Sequence, residues 1–178
     1  MKRLDPTRPV MSALNGLAQI TADEFECEVD TFANTEFNLQ AAKTHYPAAV
    51  LPGESDPWGD KTAETAAVFD VVGQNYMHRR LAHDGVKYPD RVIVTTESKP
   101  TDSYDAWHVV WENEHVIGDF VWTAFDNLGE AGMGQILKPE TKGIAPRAGW
   151  PWLNCLQGDF DLTFERKPQS YYRALVWG

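Results

Sequence analysis

Three residues of this chain, Tyr76, Glu97 and Trp122, each follow a short strand-like run and are of types that can act together on a sugar. Glu97 closes Arg91-Val92-Ile93-Val94-Thr95-Thr96-Glu97. Tyr76 follows Val68-Phe69-Asp70-Val71-Val72-Gly73-Gln74-Asn75, and Trp122 ends Val116-Ile117-Gly118-Asp119-Phe120-Val121-Trp122. A carboxylate at a strand end can attack an anomeric carbon if hydrogen-bond donors keep it ionised. A tyrosine hydroxyl on the neighbouring strand is one such donor, and tryptophan gives a sugar ring a flat apolar platform. Retention of configuration also needs a second carboxyl group ~5–5.5 Å away to protonate the leaving oxygen. On spacing alone, simpler readings compete: a strand-end Glu as half of a loop ion pair, and Tyr76 and Trp122 as core packing.

The elements that would position these groups alternate between short apolar runs and helical stretches, the pattern of βα units and a parallel sheet. Strands are expected at Arg8–Leu14, Val68–Gly73, Arg91–Thr96 and Val116–Trp122. Phe25, Val29, Phe32 and Leu39 recur at helical spacing within Asp23 to Ala42. Pro47, Pro52, Gly53 and Pro57-Trp58-Gly59 mark a loop-rich connection. Met77 to His83 reads as a short helix closed by Asp84-Gly85. Thr101, Asp102 or Ser103 can cap a helix whose buried face would carry Tyr104, Trp107, Val110 and Trp111. A Gly- and Pro-rich stretch runs from Asp126 to Ala148, and Pro168 is placed to start a last helix, Gln169 to Val176.

The predicted architecture is therefore α/β, a single domain over residues 1–178. Four parallel βα units make half of an eightfold barrel, a fold that usually takes about 250 residues. An open parallel sheet of four strands has two bare edges, which soluble proteins cover. A fragment, or a sheet completed by self-association, is the expectation. Catalytic groups of such barrels lie at the C-terminal strand ends, where Tyr76, Glu97 and Trp122 fall on successive strands.

Composition narrows the partners. Sixteen Lys and Arg against 26 Asp and Glu give a net charge of −10, which disfavours nucleic acid and anionic membrane surfaces as partners. No run approaches the 18 consecutive apolar residues of a membrane span, and the basic start lacks the apolar stretch of a secretory signal. That leaves the localisation unknown. Cys27 and Cys155 make neither a disulfide framework nor a metal-ligand pattern. The five histidines, His45, His78, His83, His108 and His115, form no zinc motif and read as solvated or hydrogen-bonded surface residues. With no phosphate loop, dinucleotide motif or nucleophile elbow in the sequence, no cofactor and no metal are expected. Seven Trp among 12% aromatic residues suit core packing and a carbohydrate site alike.

Several stretches together resemble glycoside hydrolase family 2, the β-galactosidase family. Val92-Ile93-Val94-Thr95-Thr96-Glu97-Ser98-Lys99-Pro100 is similar to its nucleophile strand. Ile117-Gly118-Asp119-Phe120-Val121-Trp122-Thr123-Ala124-Phe125-Asp126-Asn127-Leu128-Gly129-Glu130 resembles its eighth barrel strand and the following loop. Leu4-Asp5-Pro6-Thr7-Arg8-Pro9-Val10 resembles the approach to the fifth strand, and Gly73-Gln74-Asn75-Tyr76 the sixth. Trp150-Pro151-Trp152-Leu153-Asn154, Gly158-Asp159-Phe160-Asp161-Leu162 and Arg166-Lys167-Pro168-Gln169-Ser170-Tyr171-Tyr172 resemble the barrel's closing segment.

The resemblance implies strands five to eight of the catalytic barrel, with Glu97 as nucleophile and Tyr76 as its hydrogen-bond partner. It places Trp122 in the active site and Asn75 and Asp126 among the substrate-binding residues. It also implies that the acid/base Glu, which in the family follows an Asn on the fourth strand, lies upstream of the matched segment. Asn113-Glu114 is a decoy, set just before a strand and so on the opposite face. Thr163-Phe164-Glu165 departs from the pattern, because the family usually has glycine after the threonine. The expected role is retaining β-glycoside hydrolysis, weak or absent in the isolated chain, with a carbohydrate as substrate and a second copy or an N-terminal barrel half as partner. The competing role is a non-catalytic half-barrel that self-associates or binds sugar. A barrel enzyme of another class, such as an isomerase, fits least.

Overall fold

A computed structural model describes residues 3–15, 56–128 and 154–178 of the chain. Strands β1 (Met11–Asn15), β2 (Val71–Asn75), β3 (Ile93–Ser98) and β4 (Val116–Val121) form one sheet in the order β1-β2-β3-β4, every pair parallel. Helices α1 (Pro57–Ala66), α2 (Leu81–Lys87), α3 (Ser103–Glu112) and α4 (Pro168–Trp177) accompany it, and short 3₁₀ turns at His78–Arg80 and Pro100–Asp102 lead into α2 and α3. The expected βα alternation and parallel sheet are present. The helix expected over Asp23 to Ala42, Cys27, His45, and the Gly- and Pro-rich stretch beyond Leu128 lie outside the described residues.

The loop expected through Pro57-Trp58-Gly59 is instead the first turn of α1. Asp56 caps it by accepting the Gly59 N–H at 3.0 Å, and proline at the first helical position is an initiator, since its missing N–H would have no intrahelical partner. The helix after Tyr76 also outruns its expected stop at Asp84-Gly85 and continues to Lys87. Asp84 does not end it because Asp84 is fully buried and committed elsewhere. Its carboxylate takes Arg80 at 2.6 Å and the Gln74 amide at 2.5 Å. Arg80, itself wholly inaccessible, also forks onto Asp56 with two bonds of 2.9 Å and lies 4.4 Å from the Trp58 ring. One buried guanidinium thus ties α1, α2 and β2 together.

The apolar core over the sheet is small: Leu81, Ile93 and Val116, with Val109 and Val110 against them. The buried face of α3 is not the predicted one. Ser103 and Ala106 are buried, Trp107 and Val110 are only partly so, and Tyr104 and Trp111 are exposed, Trp111 by 66%. Small residues let the helix approach the sheet closely, and the large rings pack sideways: Trp107 stacks on Trp177 of α4 at 4.9 Å. The last helix starts at Pro168 as expected. Before it, Gly158–Arg166 folds back along the chain leaving β4, through Asp159 N–H to Thr123 O (3.0 Å) and Phe160 N–H to Ala124 O (2.9 Å). A small antiparallel pair, β5 (Asn127–Leu128) and β6 (Asn154–Cys155), adjoins this segment. Cys155 is buried with a free thiol, as a small hydrophobe would be.

Candidate active site

Parallel pairing puts the C-terminal ends of β2, β3 and β4 side by side, and backbone bonds join the residues found there. Tyr76 N–H donates to Glu97 O at 2.6 Å, and Trp122 N–H donates to Ser98 O at 2.9 Å. The sheet thus brings together Tyr76, Glu97 and Trp122, each half-buried, with buried Asn75 opposite Glu97 in register.

A bulge decides where Glu97 points. Ile93 packs into the helix-side core, and strict alternation would send Thr95 and Glu97 to that side as well. The β2–β3 register, however, runs Gln74↔Thr95 and then Asn75↔Glu97, so Thr96 is an extra residue. Ser98, not Glu97, resumes the helix side, where its hydroxyl donates to buried Asp119 at 2.9 Å. Glu97 is therefore turned to the face away from the helices, the re-aiming that β-bulges near active sites provide. Thr96 lies on the same face. Its hydroxyl donates to Asn75 Oδ1 at 2.6 Å, and its methyl occupies the space over Gly73, where a Cβ would come within 2.7 Å of it. The 3.0 Å-class contacts of that Cβ with Ser12 O (2.9 Å) and the Ala13 Cα (3.1 Å) also require glycine at 73.

Two of the five predicted residues have backbone peculiarities. Tyr76 adopts φ = 58°, and the Trp122–Thr123 peptide is cis. Asp126 is buried rather than open to the site. Its Oδ1 accepts the Gly158 N–H and the Lys167 ammonium, both at 2.7 Å. This fastens the 158–166 segment to the end of β4. Glu114 is exposed just ahead of β4, at the N-terminal end of the strands and so at the opposite end of the sheet from Glu97.

Sequence reasoning passed over Ser98 and Asp119, although an Asp in the middle of an apolar strand was the available signal. Burial raises the Asp119 pKa to about 6, against the Ser98 hydrogen bond and the Arg173 charge, which pull it down. Since the folded value exceeds that of the unfolded chain, near 3.9, the stabilising contribution is complete below about pH 4 and is lost as pH rises through about 6. Asp119→Asn is expected to stabilise the protein by roughly 2 kcal/mol at pH 7 and to flatten this part of the pH profile. Urea midpoints between pH 4 and pH 7.5 measure it, and a profile identical to the parent's would refute it.

His78 corrects the expectation of surface histidines. It is buried within the 3₁₀ turn that follows β2, and desolvation lowers its pKa although Asp102 opposes the shift. Two of the others fit: His115 Nε2 meets Leu81 O at 2.8 Å, and His108 lies 3.1 Å from Glu112, whereas the His83 Nε2 is buried 3.5 Å from Asp56. Asp56, His83 and Asp84 have ligand-type atoms within 4.8 Å of one another. Arg80 is already bonded to both carboxylates, and its positive charge disfavours a metal ion there. No helix among the described residues is long and apolar enough to cross a membrane.

No model of a protein family matches the chain. Among curated proteins it is similar to Beta-galactosidase BoGH2A of Bacteroides ovatus, 25% identical over 147 residues, covering 57% of this chain and 17% of that protein. Among solved structures it is similar to two glycosyl hydrolase family 2 members from Bacteroides cellulosilyticus. One is 32% identical with a TM-score of 0.64, the other 29% identical with a TM-score of 0.57. Each likeness covers 99% of this chain, but only 17% and 15% of those chains. An FMN-binding β-glucuronidase from Facaelibacterium prausnitzii shares the fold at 15% identity and a TM-score of 0.53. The resemblance to glycoside hydrolase family 2 read from the sequence is thus borne out in both sequence and structure.

Proposed function

We propose that this chain carries the nucleophile side of a retaining β-glycosidase site, with β1 to β4 as strands five to eight of a (β/α)₈ barrel. The observation that carries this reading is the bulge at Thr96, which aims Glu97 off the helix side between Tyr76 and Trp122. Glu97 attacks the anomeric carbon. Tyr76 holds the carboxylate in its ionised form, and Trp122 supports the sugar ring. Asn75 gives up its oxygen to Thr96, which leaves its amide NH₂ to donate to a sugar hydroxyl or to Glu97. Asp126 acts at one remove, by fixing the loop after β4. In the resembled family the acid/base group belongs to the strand that precedes this segment in family order, so a glycoside whose leaving group needs no protonation reads Glu97 most directly. A β-galactoside is the first substrate to test, by likeness to the curated relative. Intact mass after incubation with a 2-deoxy-2-fluoro-β-galactoside bearing a dinitrophenolate leaving group is expected to show one covalent adduct, on the peptide containing Glu97. An adduct on any other carboxylate would refute the assignment.

A second reading, a self-associating half-barrel, has its own support. Met11 on edge strand β1 and Ile117 and Phe120 on edge strand β4 are exposed, whereas parallel sheets are normally covered on both faces. Light scattering at about 100 μM, where micromolar dimers form, is expected to give a mass above the monomer. A strictly monomeric mass would exclude this second reading.

A further inference from the structure

Two strand irregularities meet at one buried hydrogen bond beside Glu97. Alternation from Val116, which belongs to the helix-side core, would send Gly118 and Phe120 to that side and Asp119 away from it. Instead Asp119 is 5% exposed and Phe120 is 63% exposed. The β3–β4 register accounts for the exchange. It runs Ile93↔Val116 and then Thr95↔Asp119, so β4 carries an extra residue over this step. The next step reverses the excess: from Thr95↔Asp119 to Ser98↔Val121, β3 advances three residues while β4 advances two.

Asp119 is therefore in register with the residue before the Thr96 bulge, while its carboxylate accepts the hydroxyl of the residue after it, Ser98, at 2.9 Å. In a regular strand Ser98 would lie about 10 Å along from Thr95 and on the opposite face, out of reach of this bond. Stability does not account for the pair. Asp119 Oδ2 takes the Ser98 hydroxyl, but Oδ1 is buried with no hydrogen-bond partner among the described residues, an arrangement that apolar residues of similar size would improve. What the pair holds is position. Ser98 directly follows Glu97, and its carbonyl oxygen accepts the Trp122 N–H at 2.9 Å, while Glu97 O accepts the Tyr76 N–H at 2.6 Å.

We propose that Ser98 and Asp119 are positioning residues, a side-chain clamp across the bulge at Thr96 that keeps Glu97 turned away from the helices and tied to Tyr76 and Trp122. Both act from the helix side of the sheet, through Glu97 rather than on a substrate. With the clamp open, β3 can relax toward plain alternation, in which Glu97 turns to the helix side. The glycosidase reading supplies the clamp's consequence for catalysis, whereas its effect on the strand ends is independent of that reading.

The test compares Ser98→Ala, Asp119→Asn and the double variant Ser98→Ala with Asp119→Leu against the parent chain. Amide hydrogen exchange is followed by NMR at Tyr76 and Trp122, and at Val72 and Ile93, whose N–H groups bond at the other end of the sheet to Val92 O and His115 O. Urea unfolding and the rate of labelling by the 2-fluoro galactoside are measured on the same proteins. Ser98→Ala is expected to speed exchange at Tyr76 and Trp122 about tenfold relative to Val72 and Ile93, the scale of one lost hydrogen bond, and to slow labelling of Glu97 by a similar factor. Asp119→Asn keeps an oxygen for the Ser98 hydroxyl and is expected to match the parent in both. The double variant strands no buried carboxylate, so it is expected to unfold at no lower urea concentration than Ser98→Ala and still to exchange and label as slowly bound to the parent's geometry as that variant does. The clamp is overturned if Ser98→Ala keeps the parent's exchange ratio, if the double variant recovers parental labelling, or if Asp119→Asn slows labelling as much as Ser98→Ala. If the parent itself takes no label, the exchange ratio alone decides the clamp, and the lost labelling counts against the glycosidase reading.

Discussion

Glu97→Gln is expected to abolish the covalent 2-fluoroglycosyl adduct and to lower turnover of dinitrophenyl β-galactoside by at least roughly 10³-fold, the scale seen when a covalent nucleophile is removed. The activated aryl substrate is used because dinitrophenolate departs without protonation, whereas ordinary alkoxide leaving groups draw about 10²–10⁴-fold from a general acid. Gln keeps the size of Glu, and Glu97 enters the sheet through backbone bonds from Tyr76 N–H and across the Asn75 register. Stability should therefore change little, and lost labelling could not be blamed on unfolding. On the proposed roles, Tyr76→Phe should leave labelling detectable but slower, since it would remove a donor to the carboxylate and not the attacking group. Residual turnover in Glu97→Gln equal to the parent's would place the chemistry on another residue.

The site was legible to different depths. The strand-end placement of Tyr76, Glu97 and Trp122 could be read because β-branched runs stop there and parallel order puts those ends together, whereas choosing them over a loop ion pair and core packing rested on the family resemblance. The direction of Glu97 could not be read. Period-2 alternation from Ile93 gives the wrong face, and only the pairing register shows the extra residue at Thr96. The buried face of α3 was misread for a related reason. Helical spacing identifies a stripe of large rings, but close approach to a sheet favours Ser103 and Ala106, and the indoles found partners on α4 instead. Asp84-Gly85 looked like a stop because both residue types end helices in solution-facing settings. Its context is a buried arginine that no local pattern announces.

That arginine carries the largest stability prediction. Arg80→Met is expected to destabilise the fold by about 3–5 kcal/mol, because it leaves the buried Asp56 and Asp84 carboxylates without their shared counter-ion. Burial alone would raise the Asp56 pKa, but bonds from Arg80, the Gly59 N–H and Lys87 outweigh it and hold the carboxyl well below the usual carboxylate range. A lowered folded value means that Asp56 stabilises the fold above about pH 4 and that this contribution is lost as pH falls towards the folded value. Lys87, 3.1 Å from Asp56 but partly exposed, compensates only in part. Urea unfolding at pH 7 is expected to show a lower midpoint at unchanged m, and a loss under about 1 kcal/mol would refute the counter-ion role. Adding Asp56→Asn and Asp84→Asn to Arg80→Met removes the stranded charges and should recover much of the loss, as replacement of whole buried ion networks does. The triad also reaches the candidate site. Asp84 accepts the Gln74 amide at 2.5 Å, and Gln74 immediately precedes Asn75 and Tyr76 on β2. Arg80→Met should therefore slow labelling of Glu97 even at temperatures where the variant remains folded, while the triple variant, which keeps an amide oxygen for Gln74, should label faster than Arg80→Met.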